Sequence, residues 1–145
     1  MRIVIQRVAS AQVEVNRQIV GSVQRGLLVL VGVGHHDSEN EARWLANKTA
    51  ELRVFEDEQG KMNRSLIDIA GAALVVSQFT LLADCRRGRR PAFTDAAPPA
   101  LAERLYLRFA DVLAQRDIEV KTGIFAADMQ VSLVNDGPVT FWLES

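Results

Sequence analysis

The sequence predicts a single mixed α/β domain over residues 1–145, with largely antiparallel strands forming a layered sheet or barrel and two main helices on one layer. Three observations predict it. Apolar runs of strand length recur along the whole chain, only two stretches carry helical periodicity, and no internal repeat, low-complexity tract or composition shift marks a second domain. At 145 residues the chain is long enough to bury roughly 68–70% of the surface its unfolded form exposes.

The elements follow in order. Val13 and Val15 alternate with Gln12 and Glu14, and "NRQ" at 16–18 can turn that strand back through Ile19 and Val20. "LLVLVGV", 27–33, is a continuous apolar run too short for a helix, as expected of a strand covered on both faces. Ser38 and Glu41 have capping-box spacing, and Ala42, Leu45, Ala46, Thr49 and Leu52 share one helical face, predicting a helix across 38–54. "DEQGKMN", 57–63, reads as a loop, and "AALVVSQFTLL", 72–82, as another buried strand. "RRGRRPAFTDAAPP" has no apolar period and predicts an exposed connection. Pro98 and Pro99 then open a helix striped by Leu101, Leu105, Phe109, Val112 and Leu113 and ending near Gln115. Strands around 118–121, 129–133 and 139–143 close the chain, for about seven in all.

Composition excludes several classes of function. The formal net charge of −1, from 17 Lys and Arg against 18 Asp and Glu, gives no broad cationic field. Cys85 is the only cysteine, so no intrachain disulfide can form and a cytoplasmic protein is expected. The opening "MRIVIQRVASAQVEV" lacks a signal peptide's continuous apolar centre, and no run approaches the roughly 20 apolar residues of a membrane span. No GxGxxG, Walker loop, GxSxG or HExxH spacing occurs. His35 and His36 are adjacent and read as an exposed loop pair; with one distant cysteine, three converging metal ligands are not in view, so neither metal nor cofactor is expected.

Three stretches remain. "RRGRR", 86–90, sets Arg86, Arg87, Arg89 and Arg90 around Gly88, either as a solvated loop or as a contact for phosphates. "SQFTLLAD", 77–84, ends a buried strand beside it; along an extended strand Ser77 and Thr80 face opposite sides, so they share a pocket only if the strand twists or ends there. "VNDGPVTF", 134–141, has Asp136-Gly137 as a strong hairpin signal, but Pro138 would have to donate the closing hydrogen bond and has no N–H.

Together, "SQFTLLAD" followed by "GRRPAF", and "NDGPVTF" near the C-terminus, resemble the signature motifs of the D-aminoacyl-tRNA deacylase family, and the likeness extends to "MRIVIQRVASAQVEV" and "LLVLVGV". The family tends to have "FGA" where this chain has Phe125-Ala126-Ala127. The resemblance implies an enzyme that hydrolyses the ester joining D-amino acids, and in many members glycine, to the terminal ribose of tRNA. It implies a catalytic segment at Ser77, Gln78, Phe79 and Thr80, a substrate pocket including Phe125, Met129 and Asn135, and tRNA phosphates at Arg86, Arg87, Arg89 and Arg90. It further implies a homodimer with active sites at the subunit interface, where the Gly137-Pro138 loop of one subunit, its peptide bond cis, rejects L-amino acids in the other. An X–Pro bond adopts cis at about 0.5–1 kcal/mol, against roughly 2.5–4 for other bonds. Rejecting L-aminoacyl-tRNA by a factor of about 10⁴ needs roughly 5.5 kcal/mol, more than the about 1–3 kcal/mol that one apolar contact supplies, so the discrimination has to be a clash. Two other readings of the residues stand: a non-catalytic dimeric nucleic-acid-binding module, and a hydrolase of another acylated RNA such as peptidyl-tRNA.

Overall fold

The computed structural model describes residues 1–145. Its framework is β1 (Arg2–Val15), a strand of 14 residues that bonds to three others. Its first half runs antiparallel to β3 (Gly26–Gly32), pairing Arg2 with Gly32 and Val8 with Gly26. Its second half runs antiparallel to β2 (Gln18–Val23), through a two-residue turn in which Asn16 and Arg17 both have positive φ, 51° and 64°; that is the type I′ pattern whose twist matches the strands it joins.

On its other edge β1 pairs along its length with β8 (Gln130–Glu144). Between these lie α1 (Glu39–Glu51), β4 (Phe55–Glu56), β5 (Met62–Arg64), β6 (Ala72–Ser77), a 3₁₀ turn (Phe79–Leu82), α2 (Pro99–Ala114) and β7 (Glu119–Thr122). β6 pairs parallel with β3, and β7 parallel with β6, giving the order β2-β1-β3-β6-β7. The curled sheet brings β2 against β6 and β7. A Cβ at Gly21 would lie 2.7 Å from the Thr122 carbonyl and 3.3 Å from a Leu74 methyl, so the sheet is nearly closed into a barrel.

The two faces of the sheet bury separate cores. Ile3, Ile5, Leu27, Val29, Ala73 and Val75 meet α1 and α2, while Val8, Val13, Val23, Leu28, Leu74 and Val76 fill the inside of the curl. This is why 27–33 and 72–77 read as unbroken apolar runs: alternate residues enter different cores. α1 starts at the expected box, with the Ser38 N–H and hydroxyl donating to Glu41 at 2.8 and 2.6 Å. No helix is long and apolar enough to cross a membrane.

Four expectations need correction. α1 stops at Glu51 because Leu52 is already extended (φ −64°, ψ 122°). The loop 57–63 is the tip of a small hairpin, β4-β5, tied by Asp57 accepting from the N–H groups of Gln59 and Lys61. The run 72–82 is a strand only to Ser77 and then coils. The two strands expected at 129–133 and 139–143 are one.

That last strand carries the main irregularity of the fold. From Val8↔Asn135 to Gln6↔Thr140, β1 moves by two residues and β8 by five, so 136–139 loop out opposite Arg7 alone. The Asn135 side chain closes the base of this excursion: its amide nitrogen donates to the Val139 carbonyl at 3.3 Å and its oxygen accepts the Val139 N–H at 2.8 Å. Gly137 has φ +144°, and a Cβ there would lie 2.6 Å from Val139 backbone nitrogen, so only glycine fits. The Gly137-Pro138 bond is cis. Arg7, 5% exposed, donates to the carbonyls of Val54 at 2.7 Å and Asp136 at 2.9 Å, and its guanidinium lies 3.3 Å from the Asp136 carboxylate. Replacing Arg7 by leucine should leave the buried Val54 carbonyl unpaired, at about 1–3 kcal/mol, and take from the Asp136 carbonyl its donor. Urea unfolding should show that loss, and hydrogen exchange should quicken at 136–140 while the α1 amides keep their rates.

Candidate active site

The parallel ladder ends in a defined way. The Gln78 N–H donates to the Val31 carbonyl at 2.8 Å, extending the β3-β6 pairing one residue beyond Ser77; the chain then coils, with the Leu81 N–H bonding to Gln78 and that of Ala83 to Thr80. A helical turn has no internal acceptor for its first N–H groups, which leaves those of Phe79 and Thr80 available at the end of a buried strand.

Beside this turn lies a cleft of about 510 Å³ lined by 13 residues. β6 and the turn contribute Val76, Ser77, Gln78 and Phe79; the segment entering α2 contributes Ala96, Ala97, Pro99 and Ala102; the β7-β8 connection and β8 contribute Phe125 to Ala127, Met129 and Val131. None of these side chains ionises. Thr80 lies exposed outside the lining, and its hydroxyl accepts from the Gln78 amide and bonds to no carboxylate or imidazole. No group of three or more His, Cys, Asp or Glu side chains is placed to surround a metal ion.

The structure thus brings Ser77, Gln78, Phe79, Phe125 and Met129 into one cleft. Asn135, Gly137 and Pro138 lie outside it: Asn135 closes the β8 excursion, and Gly137 and Pro138 are exposed at its tip. Ala126 sits third in a turn closed by the Ala127 N–H to the Ile124 carbonyl at 3.2 Å, with φ +59°, the position where glycine is ordinarily favoured. Beneath this wall Phe125 packs on Tyr106, whose buried hydroxyl reaches the Val75 carbonyl at 3.3 Å; burial pushes the Tyr106 phenol upward from its ordinary value.

The alanines and proline of 96–102 were not legible as site residues, because small apolar side chains carry no chemical signal; "AAPPA" marks only a turn into a helix. Phe93 was also missed. Its ring meets Phe79 edge-on, with centroids 4.9 Å apart and planes at 60°.

The arginine run forms a loop closed at its base by paired hydrogen bonds, Asp84 N–H to Ala92 at 2.8 Å and Ala92 N–H to Asp84 at 3.0 Å. Arg86 belongs to that closure, since two guanidinium nitrogens hold the Asp84 carboxylate at 2.9 and 2.8 Å. Arg87, Arg89 and Arg90 are exposed, with no carboxylate within ion-pair distance.

A sequence profile for the family described as D-Tyr-tRNA(Tyr) deacylase matches residues 4–144. The chain is 57% identical over 145 residues to a D-aminoacyl-tRNA deacylase of Thermotoga petrophila, covering 100% of this chain and 97% of that one. To a protein of the same name from Rhodopirellula baltica it is 58% identical over 144 residues, covering 99% of each. Among solved structures it is similar to a c-Myc DNA Unwinding Element Binding Protein, with a TM-score of 0.93 and 40% identity over 100% of this chain and 99% of that one. A probable eukaryotic D-amino acid tRNA deacylase shares the fold at a TM-score of 0.83 and 18% identity, covering 98% and 97%.

The loop closure has a defined pH dependence. The Arg86 side chain, and then its N–H, hold the Asp84 carboxyl well below the usual carboxylate range. A carboxylate lowered by folding stabilises fully above its ordinary pKa of about 3.9 and loses that contribution only as pH falls through the lower, folded value. In an NMR titration Asp84 should stay ionised while free aspartates protonate near pH 4, and the 84–92 amide shifts should hold with it. A midpoint at the ordinary value would show that the Asp84–Arg86 closure is absent.

Proposed function

The chain belongs to the D-Tyr-tRNA(Tyr) deacylase family, and on that premise we propose that it hydrolyses the ester of D-aminoacyl-tRNA, and of mischarged glycyl-tRNA, in the cytoplasm, while sparing L-aminoacyl-tRNA. The observation that carries the mechanism is the cleft itself: it abuts the turn whose first N–H groups have no internal acceptor, and no side chain in its lining ionises. A threonine hydroxyl without an adjacent base is a weak nucleophile, so the covalent route through Thr80 is the poorer one.

In the route we favour, the ester carbonyl sits at the turn, and the N–H groups of Phe79 and Thr80 stabilise the oxyanion, such a donor typically contributing about 2.7–4 kcal/mol. The vicinal hydroxyl of the terminal ribose assists attack by water; the ester C–O bond breaks, the ribose oxygen takes the proton, and free amino acid and tRNA leave. Arg87, Arg89 and Arg90 contact phosphates of the acceptor end, while Arg86 is engaged by Asp84. A non-catalytic nucleic-acid-binding module, favoured by those free arginines, predicts binding without turnover.

The same proposal includes a homodimer. β8 pairs only with β1, so the other edge of a 15-residue strand lacks a partner within the chain, and Val134 and Trp142 are 58% and 57% exposed. An unpaired edge this long is a surface that native proteins pair, cover or otherwise protect. Gly137 and Pro138 project from that strand and do not line their own cleft, which supports a loop that enters the partner's cleft and blocks any L side chain at Cα.

Two experiments test this. With D-, L- and N-blocked tyrosyl-tRNA, only the D ester should be released; Thr80→Ala should keep appreciable activity, and D-tyrosyl-tRNA ending in 2′-deoxyadenosine should be nearly inert. Release of the N-blocked ester, a trapped acyl-threonine or full turnover of the deoxy substrate would each contradict the proposal. In a mixed dimer of one Pro138→Ala subunit and one Ser77→Trp subunit, the intact cleft faces the intact loop across the interface, so one selective site should survive. Poor turnover, or hydrolysis of the L ester, would place the loop's action within its own chain.

A further inference from the structure

Resting on the deacylase reading, we propose that Phe93 is a positioning residue for hydrolysis: its ring is the stop against which Phe79, and with it the 3₁₀ turn that receives the ester carbonyl, is held.

The two rings form an edge-to-face pair at the cleft rim, 53% and 38% exposed for Phe79 and Phe93. Neither belongs to either core cluster, so the pair adds little to the stability of the fold, and a water-facing aromatic pair calls for another reason. The main chain of Phe93 is fixed on both sides. Ala92 before it is bonded in both directions to Asp84, its own carbonyl accepts the Ala96 N–H at 3.1 Å, and the Thr94 carbonyl lies 2.9 Å from His35 Nε2. Further on, the Ala97 N–H donates to the Val33 carbonyl at 2.9 Å, anchoring the segment to the chain just beyond β3. Phe79 opens a turn of four residues whose main chain is tied on either side of it, the Gln78 N–H to Val31 and the Leu81 carbonyl to Arg2, but its ring is 53% exposed and has Phe93 as its aromatic neighbour. The sheet therefore sets where the turn begins, and the Phe93 ring sets how Phe79 is turned within it. Aromatic pairs favour edge-to-face or offset geometry over a face-to-face sandwich, so the contact constrains direction as well as distance, and misplacement by about 1 Å can reduce turnover by about 100-fold.

The same pair sits where the arginine loop returns to the body, so a bland alternative exists: Phe93 merely supports the loop that holds RNA. The two roles separate by substrate. Phe93→Ala, Phe93→Leu and Phe93→Tyr are compared on D-tyrosyl-tRNA and on D-tyrosyl-adenosine, which has the ester and ribose but no phosphate, with the salt dependence of tRNA binding and the thermal midpoint recorded for each. Phe93→Ala should lower kcat by about 10- to 100-fold on both substrates, leave the tRNA KM and the salt slope unchanged, and shift the thermal midpoint little; Phe93→Tyr, which keeps the ring, should restore kcat. Should Phe93→Ala fail to fold, Phe93→Leu carries the same comparison. In a double-mutant cycle, Phe79→Leu and Phe93→Leu should be non-additive in kcat. A defect confined to tRNA KM or to the salt slope, unchanged kcat, or additive effects would overturn the positioning role. If the unaltered protein releases nothing from either ester, it is the deacylase reading that fails, and this proposal with it.

Discussion

The double pairing of β1 is the constraint on which everything else rests. One strand serves as neighbour to β3 and β2 along one edge and to β8 along the other, and its 14 residues span both cores. Because side-chain direction alternates with period two, the register of this strand decides which residues enter which core. The ladder also fixes the two features on which the proposed function rests. Through β3 it carries β6 to its end at Ser77, where the turn begins; through β8 it carries the excursion that Arg7 and Asn135 secure.

The site that results relies on main chain where many hydrolases rely on side chains. A turn that begins where a buried parallel strand ends presents N–H groups at a place the sheet fixes, and the surrounding wall offers no acid or base. Preorganised dipoles in a largely apolar cleft act where the effective dielectric is low, which strengthens them. The proposed route, in which the substrate's own hydroxyl does the acid-base work, is consistent with this economy of side-chain chemistry.

Much of this was legible in the sequence, and the remainder failed for identifiable reasons. The capping box at Ser38, the Pro-led start of α2 and the buried runs of β3 and β6 are local patterns, and the structure keeps them. The coil after Ser77 was missed because "FTLL" is apolar and pairs equally well with either conformation; only the end of the neighbouring strand decides it. Pro138 correctly spoiled the hairpin reading of Asp136-Gly137, yet the alternative, a strand that continues past a four-residue excursion, depends on Arg7, some 129 positions away in sequence. Likewise the cleft's alanines and Phe93 acquire a role only through packing. Arg86 read as one of four equivalent cations, and its pairing with Asp84 follows from a loop closure that composition does not reveal.

The composition of the cleft wall has a consequence for the entropy of binding. Immobilising a side chain costs nothing for alanine, glycine or proline and up to about 1.5–2 kcal/mol for long flexible ones. Ala96, Ala97, Pro99, Ala102, Ala126 and Ala127 have no rotamers to surrender when a ligand arrives. Torsional freedom at the cleft is therefore concentrated in Met129 and Gln78 and in the rings of Phe79 and Phe125. A wall this poor in rotatable bonds changes little in shape on contact, so what enters meets a mould more than a surface that must first be set.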